Sequence, residues 1–221
     1  MLDIVKGKLI VSCQALEDEP LHSPFIMGRM ARAAKEGGAV AIRAQGVEDI
    51  IEIKKVTSLP VIGIIKRNYE DSEIYITATK KEVDELLTTG CEMIALDATD
   101  RKRPNGENLK DLIDYIKSHG VLVMADISTY EEAIKAKDLG VSCVSTTLSG
   151  YTPYTKNIEG PDFDLMKRLV NDLHIPVIAE GKVNTPEDLK KVFEIGVHSS
   201  VVGSAITRPQ LITEKFVKAI Q

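Results

Sequence analysis

Eight short apolar runs alternate along this chain with longer amphipathic ones, and that alternation limits the fold more than any other feature. The runs are Leu9–Ser12, Val40–Arg43, Val61–Ile65, Met93–Asp97, Val121–Asp126, Cys143–Thr146, Val177–Glu180 and Ser200–Gly203. They are rich in Val, Ile and Ala and do not alternate apolar with polar, the pattern of strands buried on both faces. Between them lie helical spacings: Val83, Leu86 and Leu87 share one face, and Leu165, Leu169 and Leu173 recur every fourth residue. Glycine closes the preceding helix at Gly37-Gly38, Gly90, Gly120, Gly140 and Gly196. Proline marks the strand entrance in Ser58-Leu59-Pro60-Val61 and His174-Ile175-Pro176-Val177. Thr185-Pro186-Glu187-Asp188 reads as a helix start, with an N-cap, proline in the first position and acids in the first turn. Strands alternating with helices imply a parallel sheet, and eight such units imply closure. The alternative is an open doubly wound sheet. It usually has about five or six strands, and no GxGxxG follows the first run. The expectation is a single (β/α)8 TIM barrel spanning residues 1–221.

Composition narrows the class. The 221 residues suit one such barrel and bury enough surface to need no disulfide or metal staple. A net charge of −5 argues against broad binding to nucleic acid or to an acidic membrane. Cys13, Cys91 and Cys143 are odd in number, far apart and form no CxxC pair, as expected of reduced thiols in a cytoplasmic protein. No apolar run approaches the ~20 residues of a membrane span, and the first residues lack the basic-then-apolar pattern of an export signal.

Two corners late in the chain carry the first functional signal. Ile178-Ala179-Glu180-Gly181-Lys182 and Val201-Val202-Gly203-Ser204-Ala205-Ile206-Thr207-Arg208-Pro209 each begin as a strand and break at glycine beside a charged or hydroxyl side chain. Consecutive β-to-α corners that expose backbone N–H groups next to cations are how these barrels hold a phosphate after strands 7 and 8. The expected ligand is therefore a small phosphorylated molecule. Long polar connections follow strands 3, 4 and 6 (67–79, 98–108 and 147–161) and should build the mouth.

Polar residues at the strand ends are the candidates for chemistry: Gln14, Arg43, Lys66, Asp97, Asp126, Thr146, Thr147 and Glu180. Gln14 could equally cap a backbone group, Arg43 could pair with a neighbouring acid, and Asp97 or Asp126 could cap the next helix. Lys66 ends the run Val61-Ile62-Gly63-Ile64-Ile65 and should stand inside the mouth. It could act as a general base if burial and nearby cations, Arg43 or Lys182, lower its pKa. It could form a Schiff base, or only lend charge to binding. Glu180, facing it beside the phosphate corner, suits proton transfer at carbon, anchoring of sugar hydroxyls, or a structural salt bridge. Arg208 could bind phosphate, or pair with Glu214 or another acid of the last helix. His119, His174 and His198 precede strands, at the opposite end of the barrel from the acids. No metal site is readable, and metal-free, cofactor-free chemistry is expected.

These residues together resemble a known family, the N-acylglucosamine-6-phosphate 2-epimerases (N-acetylmannosamine-6-phosphate 2-epimerases), bacterial enzymes of sialic acid breakdown. The resemblance runs through Val11-Ser12-Cys13-Gln14-Ala15, Ile42-Arg43-Ala44, Pro60-Val61-Ile62-Gly63-Ile64-Ile65-Lys66 and Ala125-Asp126-Ile127-Ser128-Thr129, and ends in the two corners. Its most specific segments are Asp97-Ala98-Thr99-Asp100-Arg101-Lys102-Arg103-Pro104 and Thr146-Thr147-Leu148-Ser149-Gly150-Tyr151-Thr152. One departure is Ala78, where the family has proline. The resemblance implies inversion at C2 of the phosphorylated amino sugar through an enolate of its open-chain form. It implies Lys66 as proton acceptor and donor, with Glu180 as a second acidic group. Arg43 and Asp126 would hold the substrate near C1 and the N-acetyl group, and Gln14 would add a polar contact. Gly181, Lys182, Gly203, Ser204 and Arg208 would bind the 6-phosphate. A Schiff-base aldolase and a phosphosugar sensor without turnover are the competing readings. A homodimer is compatible with all of them.

Overall fold

The computed structural model describes residues 1–221. All eight expected strands form, with ends shifted by a residue or two: β1 (Leu9–Cys13), β2 (Ala41–Gln45), β3 (Val61–Ile64), β4 (Met93–Asp97), β5 (Leu122–Asp126), β6 (Cys143–Ser145), β7 (Val177–Ala179) and β8 (Ser199–Val202). Every neighbouring pair is parallel, and β8 returns to β1 through Leu9 opposite Ser200 and Val11 opposite Val202, closing the barrel. The open-sheet alternative is thereby excluded.

Helix α1 (Leu2–Val5) lies before the barrel, and Val5 packs into its interior. The outer layer then runs α2 (Pro24–Glu36), α3 (Val47–Thr57), α4 (Lys80–Leu87), α5 (Leu109–Ser118), α6 (Tyr130–Asp138), α7 (Phe163–Asp172) and α8 (Pro186–Ile195). After β8 come a short α9 (Ser204–Thr207) and α10 (Pro209–Lys218). The expected start of α8 holds: the Thr185 hydroxyl accepts from the Asp188 N–H, and the Asp188 carboxylate accepts from the Thr185 N–H. Helix α10 buries none of its residues and leaves Phe216 and Val217 exposed.

Period-two alternation along each strand divides the core and sets up the site. Inside the barrel Ile10, Ala41, Ile62, Met93, Met124, Cys143, Ile178 and Val201 form one cluster. The intervening residues, such as Val11, Ile42, Ile94 and Val177, pack outward against the helices. Each fully buried Ile or Val contributes on the order of 1.5–3 kcal/mol. Gly63 faces outward, where a Cβ would lie 3.0 Å from both Cys91 Sγ and Leu86 Cδ2, so its lack of a side chain lets α4 approach the sheet. All three cysteines are buried free thiols.

Candidate active site

On several strands the alternation that turns apolar residues inward continues to polar side chains at the C-terminal end of the barrel. Ile10 leads to Ser12 and Gln14, Ala41 to Arg43, Ile62 and Ile64 to Lys66, Met124 to Asp126, and Ile178 to Glu180. These polar side chains, Asp126 excepted, surround a cavity of about 300 Å³. Gln14, Arg43, Lys66, Glu180, Gly181, Lys182, Gly203, Ser204 and Arg208 all line it. Its apolar floor includes Ile64, Ile76, Leu148 and Val201.

Asp126 differs from the expectation. It is fully buried and absent from the cavity wall, because Arg43 lies over it. Arg43 Nη1 and Nη2 donate to Asp126 Oδ1 and Oδ2 at 3.0 and 2.6 Å, a two-point grip. Nη1 also donates to Glu180 Oε2 at 2.6 Å. The Thr147 hydroxyl donates to Asp126 Oδ1 at 2.7 Å and approaches Glu180 Oε2 at 3.2 Å. One guanidinium therefore serves a fully buried carboxylate and a largely buried one. Burial alone would push Arg43 down, but Asp126 and Glu180 more than reverse this and hold it fully charged. Glu180 is also raised, which in a carboxyl favours the neutral form: burial and the Asp126 charge outweigh Arg43 and lift it well above the ordinary range.

Lys66 leaves β3 where the chain folds back on itself. Its backbone N–H donates to Gln45 Oε1 at 3.1 Å, and an isolated antiparallel bridge joins Lys66 to Ile76. Burial first, then the charges of Arg43 and Arg208, lower its pKa to about 8. The second cation is thus Arg208, where the sequence suggested Lys182. Lys182 is committed elsewhere. Its amine donates to the Ile158 carbonyl and stands 5.3 Å from the Tyr151 ring centroid. Gly150 makes room for it, since a Cβ there would meet Lys182 Nζ at 2.5 Å.

The two corners have the expected backbone. Gly181 has φ +102°, and a Cβ on it would lie 3.3 Å from the Thr146 carbonyl oxygen. Lys182 follows in the left-handed region at φ +56°. Gly203 packs against Ser12, and Ser204 opens α9. Arg208 Nη2 pairs with Glu19 Oε2 at 2.8 Å, not with an acid of the last helix, where Glu214 instead pairs with Lys218. Gln14 Nε2 donates to Ser12 Oγ at 2.8 Å, while its buried Oε1 has no partner.

Other residues fall outside the site or were not expected in it. Asp97 is fully buried and off the cavity wall, accepting from Thr99 N and Oγ1 and from Arg101 Nη2, so it braces the turn after β4. Tyr75, Tyr151 and Asn184 line the cavity from loops. The length of the connection after β3 was the one sequence signal for Tyr75. Its carbonyl accepts from the Arg67 N–H at 2.9 Å, within the fold-back that carries Ile76 to Lys66. No three His, Cys, Asp or Glu side chains converge to hold a metal.

A closed eight-stranded barrel with ionisable groups around a polar mouth at its C-terminal end belongs to the large class of barrel enzymes. Residues 27–221 match the family model NanE, "Putative N-acetylmannosamine-6-phosphate epimerase". Among relatives, a "Putative N-acetylmannosamine-6-phosphate 2-epimerase" of Clostridioides difficile (strain 630) is 86% identical over 100% of this chain and 99% of its own. One of Clostridium perfringens (strain SM101 / Type A) is 71% identical over 98% of each chain. The solved N-acetylmannosamine-6-phosphate 2-epimerase from Clostridium perfringens superposes with a TM-score of 0.98 at 70% identity, covering 99% of this chain and 96% of that one. A thiamine phosphate pyrophosphorylase from Pyrococcus furiosus, at 18% identity and a TM-score of 0.64, shares the fold alone. The chain belongs to the N-acetylmannosamine-6-phosphate epimerase family, isomerases acting on carbohydrates.

Proposed function

We propose that this chain, as one catalytic domain of residues 1–221, interconverts N-acetylmannosamine 6-phosphate and N-acetylglucosamine 6-phosphate by removing and returning the proton at C2. The observation that carries the reading is a lysine of lowered basicity and a carboxyl of raised pKa on the wall of one cavity, Lys66 and Glu180. A base poised near neutral pH and an acid still able to hold a proton are the pair that enolisation needs. The names of the family's members supply the substrate.

In this reading the 6-phosphate lies at the corner of Gly181, Lys182, Gly203, Ser204 and Arg208, and the open-chain sugar extends toward Lys66. The C2 hydrogen is acidified by the C1 carbonyl. Neutral Lys66 takes it, becoming an ammonium. Glu180 supplies a proton as negative charge builds on O1. The planar enol then turns its other face to Lys66, which returns a proton, while Glu180 recovers its own from O1. Arg43 keeps positive charge beside both groups, Asp126 fixes Arg43, and Gln14 offers its unpaired carbonyl oxygen to a substrate donor. Such an enzyme works in the cytoplasm, in sialic acid breakdown.

The test is direct. Purified protein supplied with N-acetylmannosamine 6-phosphate should generate N-acetylglucosamine 6-phosphate by proton NMR. Conversion undiminished in a Lys66→Ala variant would remove Lys66 from the mechanism.

A further inference from the structure

Glu19 lies in the loop between β1 and α2, far in sequence from the residues of the phosphate corner, yet its carboxylate reaches that corner. Oε2 accepts from Arg208 Nη2 at 2.8 Å and from the Leu16 N–H at 2.8 Å. Oε1 accepts from Gln210 Nε2 at 3.0 Å. The loop itself is braced: the Glu19 N–H donates to the Leu16 carbonyl, the His22 N–H to the Glu19 carbonyl, and His22 Nδ1 meets the Ala15 carbonyl at 3.1 Å. The side chain of Glu19 is only 16 % exposed. Its carboxylate is therefore a fixed point, held from its own loop and engaged on both oxygens.

A long arginine side chain loses much rotamer freedom when it binds an anion, and a fixed partner bears that cost beforehand. Glu19 takes one face of the guanidinium, through Nη2. Nη1 and Nε make no hydrogen bond with the protein, and Arg208 lines the cavity. We propose that Glu19 is the positioning residue of Arg208: it fixes the guanidinium so that its remaining N–H groups face a bound phosphate. The inference rests on reading Arg208 as a phosphate ligand. A loop-capping role alone would need only the Leu16 N–H contact. The pairs to Arg208 and Gln210, 189 and 191 residues away in sequence, go beyond it.

Glu19 also moderates the base. Arg208 depresses the Lys66 amine, and Glu19 opposes that effect. Removing the carboxylate should therefore move the Lys66 titration downward in pH, which a mere loop defect would not do.

The experiment uses the full chain with Glu19→Ala, Glu19→Gln, Arg208→Ala and the Glu19→Ala/Arg208→Ala double variant. The readouts are kcat and KM for N-acetylmannosamine 6-phosphate and for the unphosphorylated sugar, and competitive inhibition by inorganic phosphate. Coupling between members of one ion-paired network predicts that Glu19→Ala raises KM and the phosphate inhibition constant roughly 5- to 20-fold, with kcat within about twofold. Glu19→Gln should fall between, because its amide oxygen can still accept one bond. The double variant should be no worse than Arg208→Ala. An unchanged or lowered KM in Glu19→Ala, or a full further loss in the double variant, would overturn the positioning role. Equal losses on both sugars in Arg208→Ala would instead overturn the phosphate reading itself, so the two failures are distinct.

Discussion

Arg43 and Glu180 stand 2.6 Å apart at the mouth of the barrel, on β2 and at the end of β7, and Glu180 nevertheless holds its proton more tightly than an ordinary glutamate. Burial is the first reason, and Asp126 the second: it takes both ends of the same guanidinium at full burial. One positive charge divided between two carboxylates cannot fully stabilise either, and the more exposed Glu180 is left able to carry a proton. Removing the arginine should be costly twice. Arg43→Met leaves Asp126 buried without a counter-ion, worth about 3–5 kcal/mol of stability. Arg43→Lys restores charge but not the fork, so it should fold better than Arg43→Met and still lose activity. Urea titrations of the two variants measure this, and equal stability for both would refute it.

Lys66 should trade stability for chemistry. Its pKa is about 8 in the folded protein against 10.5 for a free lysine side chain, so the fold disfavours the charged amine. Below pH 8 the amine is charged in both folded and unfolded chains and the full penalty applies. The penalty fades as pH rises from 8 toward 10.5. Lys66→Met should therefore be more stable than wild type at pH 7 by about 1–3 kcal/mol, with the gain shrinking by pH 9.5. The same variant should lose roughly 10²–10⁴ in rate. Melting curves at the two pH values would contradict this if the variant were less stable at both.

The pH dependence of kcat/KM should be bell-shaped. Activity needs the neutral Lys66 amine together with the protonated Glu180 carboxyl, so kcat/KM should peak between about 7 and about 8 and fall on both sides, the alkaline limb following the lysine. Arg208→Gln removes a cation that lowers the lysine's pKa, so the alkaline limb should move to higher pH. A shift to lower pH would mean that Arg208 does not act on Lys66 through charge.

Covalent capture separates a base from a Schiff-base lysine. Borohydride added during turnover should leave the mass of the protein unchanged, whereas a reduced sugar adduct would favour an aldolase-like mechanism.

Most of the barrel was legible because the apolar runs and their glycine stops repeat with little variation. Taking the polar residue at the C-terminal end of each apolar run also reached Arg43, Lys66 and Glu180, since a strand's end is marked locally. What could not be read was pairing across the barrel. The depth of Asp126 and the partner of Arg208 depend on which side chain reaches furthest over a gap that sequence spacing does not encode. Glu19 and Tyr75 come from loops, where no period applies. Of the two cations expected beside Lys66, Arg43 acts on it and Lys182 does not, because the Lys182 amine turns to the Ile158 carbonyl, a contact set by the fold of the β6–α7 connection.

The central claim is that a proton leaves and returns at C2, and solvent isotope tests it most directly. With N-acetylmannosamine 6-phosphate in deuterium oxide, the account predicts inversion at C2 with one solvent deuterium at that carbon in the product at equilibrium. NMR at C2 reads both. Inverted product that kept its original hydrogen, or cleavage of the carbon chain, would contradict the account.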